Sequence, residues 1–158
     1  MEKFYIFLDI DGVMVNWNYL LNLKNKEEIK FLMRKGICPD NLEALNYLLD
    51  KVSKDYEPMI VFTSIRRIFD YDELISSFKN SDLHYSGEFL QTKVNKNRVR
   101  PLEIKQFISE HNITDNFIVV DDEYLESSFP GKCLKTDIYN YGLTKDLVDK
   151  YFDNELSL

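Results

Sequence analysis

The chain lacks the features that would staple, span or coat. It has only two cysteines, Cys38 and Cys133, far apart and with no CxxC pair. That leaves no basis for a disulfide framework or a cysteine-held zinc site, and it fits a reduced, cytoplasmic setting in which both are small buried hydrophobes. Long apolar runs are missing too. The apolar stretch before Asp9 is only the five residues Phe4 to Leu8, too short for a signal-peptide core, and no stretch reaches membrane-spanning length. A soluble protein with no membrane partner is expected. Positive charge is in deficit, with 20 Lys and Arg against 27 Asp and Glu and a net charge of -7. Long-range attraction to polyanions therefore has the wrong sign for bulk nucleic-acid binding, although a local phosphate site stays open. No repeat, low-complexity tract or Ser/Gly-rich linker divides the chain, so residues 1–158 are expected to form a single domain around one sizeable core.

What the chain does have is alternation between two kinds of periodicity. Continuous apolar runs of strand length occur at Phe4 to Leu8, Met59 to Phe62 and Phe117 to Val120, each without in-out alternation, as in a parallel sheet covered on both faces. Helical patterns lie between them. "PDNLEALNYLLDKV" offers Asp40 as N-cap with Glu43 three residues on; "DYDELISSF" repeats the device with Asp70 and Glu73; "RPLEIKQFISEHN" puts Pro101 at a first helical position. A last helix is expected from Thr144 and a short edge strand around Cys133 to Thr136. Together these predict an α/β three-layer sandwich with a central, mostly parallel sheet and right-handed crossovers. Residues 14–39 do not fit the alternation. They are expected to form a small flap or lid, or else a surface excursion with its own apolar patch, and Trp17 and Tyr19 within them either stack on a substrate ring or cover the core.

Ligands of open parallel sheets sit beyond the carboxyl ends of the strands. Asp9 and Asp11 follow the first apolar run, Thr63 and Ser64 the second, and Asp121 and Asp122 the third. Carboxylates converging on one rim repel one another unless a cation lies between them, and oxygen-only ligands suit a hard ion such as Mg²⁺. A lone acidic pair would more simply be a turn or helix cap; three strand ends carrying acids and hydroxyls together are not explained that way.

These residues resemble the motifs of the haloacid dehalogenase (HAD) superfamily of phosphotransferases. "DIDGV" resembles its DxDG[TV] first motif, "MIVFTS" its apolar strand ending in Thr or Ser, and "VVDDE" its acidic last motif. With "RPLEI" and a late "GLT", the chain is most similar to the small HAD domains of Swiss Army Knife RNA repair proteins, and its length leaves room for only a minimal cap. The resemblance implies Asp9 as the nucleophile, forming an aspartyl-phosphate. It implies Asp11 as general acid and base, with its backbone carbonyl on Mg²⁺, and Gly12 as the sharp turn after them. Asp122 is the favoured direct metal ligand, with Asp121 beside it in the first or second shell. Thr63 would hydrogen-bond a phosphoryl oxygen, with Ser64 as its substitute, and Arg66 could contact substrate phosphate or be solvated; Arg67 is expected to be solvated. The family's basic residue is ambiguous among Arg98, Arg100 and Lys105, with Arg100 favoured because it stands just before the Pro-led helix.

The function so implied is a Mg²⁺-dependent phosphomonoester hydrolase acting on a phosphorylated small molecule or a phosphorylated macromolecule end, polynucleotide ends included. A catalytically silent module of the same fold is the alternative. A phosphate-accepting signalling receiver would carry its acid pair early and its acceptor in the middle of the chain, the reverse of the order here.

Overall fold

The computed structural model describes residues 1–34 and 36–156; Lys35, inside the expected flap, and the last two residues lie outside the described residues. In chain order the elements are β1 (Lys3–Leu8), α1 (Trp17–Leu21), α2 (Lys26–Arg34), α3 (Pro39–Val52), β2 (Glu57–Phe62), α4 (Arg66–Phe69), α5 (Tyr71–Lys79), β3 (Leu90–Gln91), α6 (Arg100–Glu110), β4 (Phe117–Asp121), β5 (Cys133–Lys135) and α7 (Lys145–Leu156). The strands form one parallel sheet in the order β3-β2-β1-β4-β5. Helices cover both of its faces, giving the expected three-layer α/β fold.

Successive strand residues point to opposite faces. Ile6, Leu8, Ile60, Phe62, Ile118 and Val120 meet Leu45, Leu48 and Leu49 of α3, Phe78 of α5 and Val148 of α7 on one side. Phe7, Val61, Phe117 and Val119 meet Ile104 and Phe107 of α6 on the other. Both sets are buried, which is why the strands read as unbroken apolar runs.

The register decides what lies at the rim. Leu8 pairs with Phe62 on one side and Val120 on the other. The next residue of each strand is therefore Asp9, Thr63 or Asp121, side by side at strand spacings of about 4.8 Å.

Local details differ from the sequence expectation. α3 begins at Pro39 with Cys38 in the N-cap position and no side-chain cap; proline's fixed φ suits the first helical turn, and Asp40 instead lies inside that turn, where it complements the helix dipole. Asp70 does precede α5, but its side chain makes no cap hydrogen bond. Thr144 caps α7, its hydroxyl accepting from the Leu147 N–H at 3.2 Å. The edge strand β3 has only two residues, too short to leave an apolar run in the sequence. Residues 14–39 carry two helices, α1 and α2, and they send Leu20 and Leu32 into the main core. Asn16 ties their root down. Its Oδ1 accepts from the Tyr19 N–H, its Nδ2 donates to Asn41 Oδ1, and Asn41 Nδ2 in turn donates to the carbonyls of Tyr141 and Leu143, all within 2.7–2.9 Å. Gly142 lies between those two carbonyls at φ +62°, where a Cβ would meet the Val13 carbonyl oxygen at 2.7 Å. Among the described residues no helix is long and apolar enough to cross a membrane.

Candidate active site

Asp9 leaves the central strand almost fully buried, at 4% exposure, and Asp121 closes β4 at 2%. Carboxylate oxygens of Asp9, Asp121 and Asp122 lie within 4.8 Å of one another. Gly12 makes that approach possible: it turns at φ +87°, and a Cβ there would stand 2.4 Å from Asp122 Oδ2. Its carbonyl is fixed from below by the Thr136 hydroxyl, which donates to it at 2.7 Å.

Arg100, at the start of α6, points back to this cluster. Its Nη1 donates to Asp9 Oδ2 at 3.3 Å and to both oxygens of Asp121 at 3.0 and 3.1 Å, and lies 3.6 Å from Glu123 Oε1. One guanidinium contacts Asp9, Asp121 and Glu123, and Asp122 belongs to the same carboxylate cluster, so negative charge is in excess. The titration tendencies follow. Burial, then the Asp121 charge, pushes the Asp9 carboxyl well above the usual carboxylate range against the pull of Arg100. Burial likewise raises Asp121 to about 6, with Arg100 again opposing. For Arg100 burial acts downward, but Asp9, Asp121 and Glu123 outweigh it and hold the guanidinium even more firmly protonated. A buried all-oxygen donor set with surplus charge fits a hard divalent cation. Asp9, Asp121 and Asp122 are the side chains that would hold it.

Thr63 is 2% exposed, and its hydroxyl has no hydrogen-bond partner among the described residues. Buried hydroxyls are nearly always paired, so an orphan at a strand end facing a charged rim calls for a ligand oxygen. Ser64 differs. It is equally buried, but its Oγ accepts from the Arg66 N–H at 3.2 Å and is used in the turn.

Asp11 is two residues from Asp9 yet sits apart from the cluster, with its side chain half exposed. Arg66 holds it: Nη2 donates to Asp11 Oδ1 at 3.0 Å and to the Leu32 and Met33 carbonyls at 3.0 and 2.8 Å, while Nη1 donates to the Gly36 carbonyl at 3.1 Å. The guanidinium is buried and joins the end of α2 to Asp11. It is occupied by the protein itself rather than presented to a phosphate.

Lys105 stands a turn inside α6, exposed, with its ammonium 5.8 Å from the centre of the Phe129 ring. Arg98 is exposed, its guanidinium 5.9 Å from the centre of the Phe69 ring. Of the three basic residues, Arg100 is the one that contacts the carboxylates.

Arg67 is not solvated, contrary to expectation: it is 5% exposed. Its Nη2 meets Glu103 Oε1 at 2.9 Å, Nη1 donates to the Thr63 and Ser64 carbonyls at 2.7 and 2.8 Å, and Nε donates to the Thr92 carbonyl at 3.1 Å. This buried pair clamps the end of β2 to α6 directly beneath Thr63. No local pattern marks it, because Arg67 and Glu103 meet only through the fold. Thr136 is equally invisible in sequence. Glu123 was within reach, as the third acid of "DDE".

The family model for the HAD domain in Swiss Army Knife RNA repair proteins matches residues 5–148, a span that runs from within β1 through the other four strands to the start of α7. No curated protein and no solved structure matches the chain.

Proposed function

Because the chain belongs to the family of HAD domains in Swiss Army Knife RNA repair proteins, we propose that it is a Mg²⁺-dependent phosphomonoester hydrolase working through an aspartyl-phosphate on Asp9. The observation that carries this is the pairing of a charge-excess carboxylate cluster with an unpartnered buried hydroxyl on the adjacent strand end.

Each residue then has a chemical task. An Asp9 oxygen attacks phosphorus and the bond from phosphorus to the ester oxygen breaks. Asp11 delivers a proton to that departing oxygen. In the second half Asp11 takes a proton from water, the water oxygen bonds to phosphorus, and the bond to Asp9 breaks, releasing inorganic phosphate and restoring both acids. Thr63 donates its hydroxyl hydrogen to a phosphoryl oxygen. Arg100 orients Asp9 and offsets charge on the group in transfer. When bound at Asp9, Asp121 and Asp122, Mg²⁺ supplies the charge neutralisation that lets an anionic nucleophile approach an anionic ester. Separating Asp9 from Asp11 suits the two roles, since a nucleophile must stay near the cluster and a proton carrier must reach the leaving group and solvent.

The family description favours one more specific substrate, a phosphate at a polynucleotide end. Free thiols at Cys38 and Cys133 fit a reducing compartment such as the cytoplasm. Turnover of p-nitrophenyl phosphate tests the reaction: activity is expected with Mg²⁺ and lost in EDTA, and equal rates in the two would overturn the proposal. A panel of oligonucleotides with 3′- or 5′-phosphate, phosphopeptides and sugar phosphates then tests substrate class.

A further inference from the structure

The cavity beside Thr63 and Arg100 extends beyond what a phosphoryl group needs, and it contains an arginine that the reaction above leaves idle. Its volume is about 300 Å³, and Ile65, Ile68, Arg98 and Val99 share its lining with Thr63 and Arg100. Arg98 differs from its neighbours in kind. Arg66, Arg67 and Arg100 each hold a carboxylate at 2.9–3.0 Å; Arg98 has no acidic partner among the described residues and meets only the Phe69 ring. The cavity's two carboxylates already face other cations, Glu103 at Arg67 and Glu123 3.6 Å from Arg100, so in a chain with a net charge of -7 Arg98 is the lining cation with no carboxylate against it among the described residues.

The loop that carries it is held in place. Arg98 lies in the left-handed region at φ +53°, which non-glycine residues adopt infrequently and which the surroundings must stabilise. Asn95 does so from several sides. Its carbonyl accepts from the Arg98 N–H at 3.2 Å, its Oδ1 accepts from the Val99 N–H at 2.9 Å, and its own N–H donates to Glu103 Oε2 at 2.8 Å. Glu103 is the buried partner of Arg67. The presentation of Arg98 is thus anchored to the same clamp that supports Thr63.

We propose that Arg98 forms a subsite for a second anionic group, so that the favoured substrates are phosphomonoesters whose leaving group carries a further phosphate. One phosphate occupies the position between Asp9, Thr63 and Arg100, Ile65, Ile68 and Val99 pack against the connecting skeleton, and the second phosphate takes the guanidinium, whose fork matches it bidentately. The assignment rests on the phosphatase proposal for its reacting phosphate.

Symmetric α,ω-alkanediol bisphosphates of three to eight carbons, set against the ω-hydroxyalkyl monophosphates of equal length, measure the subsite directly. At the best spacing the Mg²⁺-loaded full-length chain is expected to favour the bisphosphate by about 10- to 100-fold in kcat/KM beyond the statistical factor of two. Arg98→Gln should collapse that ratio, and Arg98→Lys should keep part of it. Absence of a preference in the wild type, a preference that survives in Arg98→Gln, or an equal loss on both substrate classes would overturn the subsite. Calorimetric binding of the same pairs to Asp9→Asn reads the subsite without turnover, expecting the bisphosphate to bind about tenfold more tightly and Arg98→Gln to cancel the difference. A wild type that leaves p-nitrophenyl phosphate intact while this binding difference persists would instead refute the phosphatase proposal and leave the subsite standing.

Discussion

Asp9 and Asp11 are separated by one residue, yet they belong to two differently built halves of the rim. Asp9 is held among Asp121, Asp122 and Arg100, on strand ends whose register is set by a buried parallel sheet. Asp11 is half exposed and is held by Arg66, which also gathers three carbonyls from the end of α2 and the residues after it. The first half is set by secondary structure. The second depends on a segment outside the alternating strand-helix pattern. In the proposed reaction the nucleophile would thus sit in a charge-dense setting on a strand end, and the proton carrier would sit beside the end of α2, joined to it through Arg66.

The largest effect should come from the first half. Asp9→Asn is expected to lower turnover of p-nitrophenyl phosphate by at least about 10³-fold, because it removes the proposed nucleophile. Far-ultraviolet circular dichroism should be unchanged, and substantial residual turnover would remove Asp9 from that role. Next is the clamp beneath Thr63. Arg67→Met leaves Glu103 buried and unpaired, so a loss of about 3–5 kcal/mol in urea unfolding is expected; a change below about 1 kcal/mol would mean that the pair contributes little to the rim.

Arg66→Met tests the other half through leaving-group chemistry. A proton donor matters for an alkyl phosphate and little for p-nitrophenyl phosphate, whose phenolate leaves unaided. Loss of the tether should therefore lower alkyl ester turnover by about 10- to 100-fold and p-nitrophenyl phosphate turnover only a few-fold. Equal losses would show that Arg66 acts on the fold and not through Asp11.

The smallest effect concerns protons. With its pKa raised from 3.8 to about 6, Asp121 in the metal-free folded state binds protons more tightly than in the unfolded chain. Its contribution to stability is complete below pH 3.8 and is lost as pH rises through about 6. In EDTA, the Tm of Asp121→Asn minus that of the wild type should accordingly increase by a few degrees between pH 4.5 and pH 7.5, and Mg²⁺ should remove the increase. A flat difference would mean that the carboxylate cluster tolerates its own charge without a cation.

Much of this was legible beforehand. The three central strands, α3, α5, α6, α7 and the edge strand β5 were all readable from apolar runs and helical periodicity, and the residues after each central strand could be grouped at one rim. β3 could not, because two residues leave no pattern. The cap of α3 cannot be told from sequence, because a proline start competes with an acid-led capping box. Arg67 looked solvated for a different reason: a buried cation is only tolerable if an acid meets it, and its partner lies 36 residues away.

Sequence alone determined the alternating parallel architecture and the gathering of acids and hydroxyls at strand ends, since both follow from local periodicity and the direction of the strands. Only the tertiary structure decided how the arginines divide their work, with Arg100 on the carboxylates, Arg66 on Asp11, Arg67 on Glu103 and Arg98 against the Phe69 ring with no carboxylate partner among the described residues. Charge pairing depends on distances of a few ångströms between residues remote in the chain, and no local pattern carries those distances.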